Sequence, residues 1–179
     1  MKNNKRMLSP EDEVIFTQCL LWWLFSVAIA GVFVHTIFPE FDSAIAVEPI
    51  KSVLPGIRHW SEAAGHQSSA ATAMWIYMTF TWPLPVSFVN RKIQRVFIRN
   101  WFMFGFVIFP LFLLFFEMFF LGSTLGAPIP SDWVSNPKMD LYRRSIGGCF
   151  TISAIVGGTF VSLAQLLVLG VREFIRNET

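Results

Sequence analysis

Residues 89–101 read VNRKIQRVFIRNW, a short basic run that decides the architecture because of what lies on either side of it. Apolar stretches occupy about 14–38 and 70–89 upstream, and about 101–121 and 146–171 downstream. A hydrocarbon core of about 30 Å calls for roughly 20 residues of helix, at about 1.5 Å per residue. Each stretch is of that order. None shows the alternation, roughly ten residues long, of an outer-membrane barrel strand. The expectation is therefore an all-α polytopic membrane protein, a single domain over 1–179 with four transmembrane helices.

Orientation follows from where the cations fall. Lys2, Lys5, Arg6, Arg91, Lys92, Arg95, Arg99, Arg172 and Arg176 lie at the two termini and in the loop between the second and third spans. The loops 39–69 and 122–145 hold Lys51, Arg58, Lys138, Arg143 and Arg144 over much more chain. Excess Lys and Arg marks the cytoplasmic side, so both termini are expected inside and these two loops outside. Arg143 and Arg144, just before the fourth span, run against that trend.

Composition agrees with a membrane setting. The chain is 54% hydrophobic and 15% charged, with twenty Phe and seven Trp, more apolar than an ordinary soluble domain. A basic start followed by an apolar run invites comparison with a secretory signal. However, the run is about 25 residues long and Glu11, Asp12 and Glu13 intervene, which favours a retained anchor. Cys19 and Cys149 are expected near opposite faces of the bilayer, too far apart for a disulfide.

The four stretches differ in texture. In the second, Pro83 and Pro85 predict a kink near its end. The third is dense in Phe on all sides, contains Pro110, and carries one carboxylate, Glu117, about four residues from its outer end. An acidic residue inside a span is a functional candidate by default; the structural reading pairs it with Arg143 or Arg144. In the fourth, Ala154, Gly158 and Ser162 recur every four residues beside Cys149, Ser153 and Gly157. Small residues let helix backbones approach closely in lipid, so Ser153, Ala154, Gly157, Gly158 and Ser162 are the expected packing face, within the chain or in a homo-oligomer.

Loop 39–69 carries a stripe, Ile50, Val53, Leu54, Ile57 and Trp60, at helical spacing. Pro49 is expected to open a short helix and Pro55 to limit it, and the stripe is expected to lie on lipid or to dock a partner. His59, Glu62 and His66 in the same loop, with His35, Glu40 and Asp42 near by in sequence, are metal-ligand types but match no metal motif. Arg91, Lys92, Arg95 and Arg99 fall on one helical face, suited to anionic lipid rather than to nucleic acid.

No metalloprotease, nucleophile-elbow or phosphate-loop motif is present, and no internal repeat suggests the halves of a transporter. No catalytic residue, cofactor site or metal site is assigned from the sequence. The expected function is non-enzymatic: a bacterial-type inner-membrane protein that binds another membrane or envelope protein, as an accessory subunit or as an immunity or exclusion factor. In layout alone, four helices with both ends inside and two outer loops, the chain is similar to the immunity proteins against pore-forming colicins. The alternative is a small homo-oligomeric channel or transporter built on the fourth helix and Glu117.

Overall fold

The computed structural model describes residues 10–92, 104–124, 127–128 and 137–178. They are helical apart from short connections and a two-residue antiparallel ladder, Ser123–Thr124 with Ala127–Pro128. The helices are α1 (Pro10–Ile37), α2 (Glu48–Val53), α3 (Pro55–Ala63), α4 (Ser68–Thr81), α5 (Pro83–Lys92), α6 (Phe109–Phe116), α7 (Pro137–Arg144) and α8 (Ile146–Glu178). π-helical turns, Phe104–Ile108 and Glu117–Leu121, flank α6.

Among the described residues, two helical stretches are long and apolar enough to cross a membrane, Gln18–Ile37 in α1 and Ile146–Val168 in α8. The third expected span contains an apolar stretch, Gly105–Leu121, that is shorter. The second is divided. The α-helix stops at Thr81, turns at Trp82 and restarts at Pro83. Pro83 and Pro85 have no N–H to give to the carbonyls one turn back, so the helix cannot run through them unbroken. In the first turn of the restarted helix, the side-chain amide of Gln165 on α8 donates to the Pro85 carbonyl, at 3.1 Å.

Three hydrogen-bonded pairs set the register of α1 against α4. His35 Nδ1 meets Ser69 Oγ at 2.7 Å, the Tyr77 hydroxyl donates to Ser26 Oγ at 3.0 Å, and Trp23 Nε1 donates to Thr81 Oγ1 at 2.9 Å. As the residue number falls along α1 it rises along α4, so the two helices are antiparallel. Met78 packs on Gly157, Trp82 on Phe160, and Pro85 is bonded to Gln165; numbers rise together, so α4 and α8 are parallel.

The core between them is made of rings. Trp60, Trp75, Phe119, Tyr142 and Phe160 are fully buried with Met74, Met78, Val27 and Val161. Trp60 and Trp75 stack with centroids 5.0 Å apart and planes 8° from parallel, and Phe119 stacks on Phe160 at 4.8 Å. The polar edges of these rings are satisfied. Trp60 Nε1 donates to the Met118 carbonyl at 2.9 Å, Trp75 Nε1 donates to Tyr142 Oη at 3.0 Å, and that hydroxyl donates to the Trp60 carbonyl at 3.1 Å. Buried aromatic N–H and O–H groups are tolerated only with such partners.

Candidate functional site: the cap over one end of the bundle

The segment between α1 and α4 folds into a cap. Pro49 sits in the first turn of α2 and that helix stops at Val53, short of Pro55, as expected; Pro55 also opens a second helix, α3, that was not expected. Proline at the first helical position loses no hydrogen bond, and it keeps the preceding Leu54 out of the helical region, at φ −120° and ψ 80°. The cap therefore holds two helices, and the second runs for nine residues.

The expected surface stripe is thereby taken apart. Ile57 and Trp60 are fully buried, Ile50 and Leu54 are half-buried against the core, and Val53 alone remains outside, 76% exposed. Helical spacing located the apolar face of the segment; the shape of the bundle, open at this end, draws that face inward. Gly56 lets α3 in, since a β-carbon there would lie 2.4 Å from the Phe119 carbonyl oxygen. On the far side Gly122 ends the third helical segment in the left-handed region at φ +62°, directly against the His59 side chain.

A polar cluster that the sequence reading did not find ties the cap down. Lys51, only 6% exposed, pairs with Asp42 Oδ1 at 2.5 Å and donates to the Asp42 backbone carbonyl at 2.8 Å. Thr72 of α4 donates to the same carboxylate oxygen at 2.6 Å. Burial alone would raise the Asp42 carboxyl, but the hydrogen bonds from Lys51 and Thr72 and the ammonium charge outweigh it and hold the group below the usual carboxylate range. The His35–Ser69 pair lies one helical turn away on α4. Periodicity gave no sign of this cluster, because Asp42 and Lys51 belong to no shared repeat. A hint was present in the run Ser68-Ser69-Ala70-Ala71-Thr72, whose small side chains leave room for a lysine stem.

Other cations at this end are held as well. Arg143 Nε donates to the Ala63 carbonyl at 3.2 Å, closing the C-terminus of α3. Arg144 pairs with Asp140, and Arg58 reaches Glu48 at 3.4 Å. Arg143 and Arg144, expected beside Glu117, thus have these partners; Glu117 opens the π-helical turn and is half-buried. Tyr142, pushed by burial above its ordinary pKa, stays a neutral donor that pins α7 to the core.

The histidines do not gather. His35 is on α1, His59 is half-buried with its ring edge-on to Trp60, and His66 is exposed beyond the end of α3. The helical face expected to join His59 to His66 stops at Ala63, with Gly65 at φ +56°. Burial lowers the His59 pKa, an effect opposed by Glu62. Among the described residues no three His, Cys, Asp or Glu are placed to hold a metal ion.

The small-residue rows of α8 face neighbours in the chain. Ser153 and Gly157 are buried, and a β-carbon on Gly157 would lie 2.7 Å from Met78 Sδ. Gly158 looks toward Leu24 of α1 at an ordinary 3.9 Å, with Ala154 and Ser162 partly buried beside it. Arg91 and Lys92 close α5, whereas Arg95 and Arg99 lie outside the described residues. No family model, curated protein or solved structure matches this chain.

Proposed function

We propose that the chain is a non-enzymatic, four-span protein of a bacterial-type inner membrane, with both termini cytoplasmic and the cap outside. It acts by binding another membrane or envelope protein, as an accessory subunit or as an immunity or exclusion factor. The observation that carries this reading is the contrast between a filled centre and an apolar exterior. The axis of the bundle is occupied by Trp60, Trp75, Phe119 and Phe160 in mutual contact. Large apolar side chains such as Trp22, Phe25, Phe33, Phe80, Leu84, Phe106 and Ile155 face outward from every long helical segment. A ring-filled axis supports binding over conduction, and apolar side chains turned outward on all sides suit a hydrocarbon solvent.

Two further observations favour the topology. α1 runs one way and α4 and α8 run the other, as a first, second and fourth span would, and the cap-end cations Lys51, Arg58, Arg143 and Arg144 are each engaged by an acidic side chain or a helix C-terminus. The small-residue rows of α8, turned toward Met78, Phe119 and Leu24, are engaged inside the chain, which weighs against their serving as a homo-oligomeric seam.

Purification of the full chain in mild detergent from its own membranes, followed by native mass spectrometry, tests the proposal. A stoichiometric second protein is the expected result. A homo-oligomer with nothing attached would overturn it in favour of the channel reading.

A further inference from the structure

In a chain read as membrane-embedded, the most exposed apolar side chains should belong to the spans. They do not. Among the described residues the two most exposed large hydrophobics are Ile45, at 92%, and Val53, at 76%, ahead of Trp22 and Phe106 at 71% each. Both belong to the cap: Ile45 in the turn before α2, Val53 at the end of that helix. The element between them is braced, because Lys51 in its middle is buried on Asp42, which Thr72 of α4 also holds, and α3 behind it is locked by Trp60. Exposed aliphatics on a braced support are suited to anchor a partner.

The charges around them select the occupant. Glu40, Glu48 and Glu62 are exposed on the cap; its one exposed base, Arg58, is engaged with Glu48, and the neighbouring Arg143 and Arg144 of α7 are held by the Ala63 carbonyl and by Asp140. The Lys51 ammonium is buried and neutralised by Asp42. A surface with this acidic excess is repelled by anionic headgroups, which recruit basic segments. It is complementary to a protein surface with apolar pockets rimmed by Lys or Arg.

We propose that the cap, through exposed Ile45 and Val53 on a segment that also exposes Glu40, Glu48 and Glu62, docks the extramembrane part of a protein partner through such a basic-rimmed apolar surface. This inference rests on the partner-binding reading above and says where the partner sits. The test compares partner recovery by native mass spectrometry for the full-length wild type, for Ile45→Asp, Val53→Asp and the double charge reversal Glu40→Lys/Glu62→Lys, and for Trp22→Ala and Phe106→Ala as controls. The cap variants alter exposed side chains, so their thermal unfolding should match the wild type, and circular dichroism checks this.

The expected result is about a tenfold or greater loss of partner for each cap variant, the scale of a hot-spot substitution, with full recovery for both controls. Full recovery for the cap variants would overturn the inference while leaving the partner-binding reading intact. A wild type that brings down no second protein would overturn both. Conversion of an Ile45-dependent complex into monomers of this chain alone would identify a second copy as the occupant and overturn the inference. An Ile45→Trp variant whose emission is quenched by brominated lipid in vesicles would do the same in favour of lipid.

Discussion

Helices α1 and α4 run side by side and hydrogen-bond at three levels, yet they are built from opposite kinds of residue. In α1 the stretch Gln18–Ile37 is apolar almost throughout, and only 17% of its most apolar window is buried. In α4 every residue from Ser69 to Trp75 is buried, and five of those seven are alanine, serine or threonine before the first large side chain, Met74. The helix with the strongest membrane signal is thus at the edge, and the helix whose first half is enclosed is not among the candidate spans. Hydropathy measures what a helix shows to its surroundings. A helix wrapped by α1, α3 and α8 needs small residues for close approach and hydroxyls for interhelical bonds, and both dilute its apolar score.

That contrast is most directly broken by two tryptophans. Trp75 of α4 is stacked on Trp60, touches Phe119 and donates to Tyr142, whereas Trp22 of α1 is 71% exposed. Trp75→Ala is expected to cost about 3–5 kcal/mol, the range for deleting a large buried ring. Trp22→Ala should stay within about 0.5 kcal/mol, since the ring is mostly exposed and touches only the edge of Phe25 on its own helix. Unfolding by SDS titration of the protein in mixed micelles measures both. Equal effects would mean that α1, not α4, is the central helix.

Asp42 offers the next largest effect, because it joins the cap to α4. Asp42→Asn leaves the Lys51 ammonium buried without its counter-charge. Breaking a buried pair costs about 3–5 kcal/mol; with the Asp42 side chain 26% exposed, the lower part of that range is expected. The pH dependence has a definite sign. The folded carboxyl is held below its unfolded value of about 3.9, so its contribution is complete above that value and is lost as pH falls through the folded one. The wild type should therefore lose stability below about pH 4. The Asp42→Asn variant should already be weaker at neutral pH and flatter over the acid window; an unchanged acid limb in the variant would show that another group carries it.

A similar distinction applies within the glycines of α8. Gly157→Ala forces Met78 to move in a filled core and should cost about 1–3 kcal/mol, whereas Gly158→Ala meets Leu24 at ordinary contact distance and should be close to neutral. Thermal denaturation of the two variants in the same detergent would separate them. Equal costs would mean that Leu24 is as immobile as Met78.

How much could be read in advance follows from the same physics. The C-terminal end of α1 and the start of α8 were legible, because an apolar run bounded by polar residues is a one-dimensional signal, and Ser145 caps α8 by accepting from the Gly148 N–H at 2.9 Å. The break near Pro83 was legible because proline lacks a donor wherever it stands. The fate of Ile57 and Trp60 was not. A period of 3.6 identifies an apolar face but not whether that face meets lipid, a partner or the chain's own core, and here the answer depends on Gly56 admitting α3 beside Phe119. The Lys51–Asp42–Thr72 cluster was hidden for the same reason, since it joins a loop, a short helix and a long one that only the folded arrangement brings together.

The smallest effect concerns the ladder between the two compared helices. Trp23→Phe, Ser26→Ala and Thr81→Val each remove one side of an α1–α4 hydrogen bond while leaving most of the packing. Interhelical bonds of this kind within a bilayer are worth about 0.6 kcal/mol on average, since the separated helices find other partners. Trp23 and Thr81 share one bond, so the Trp23→Phe/Thr81→Val double variant should cost little more than either single one. Thr81 also donates to the Tyr77 carbonyl at 2.7 Å, and Tyr77 in turn donates to Ser26, which makes a second coupling testable. If Ser26→Ala and Thr81→Val prove additive, the rungs act independently and α1 is held to α4 chiefly by contacts such as Gly31 on Met74. If their combined cost falls short of the sum, the hydroxyls form one network, and the edge helix is bound to the central one as a unit.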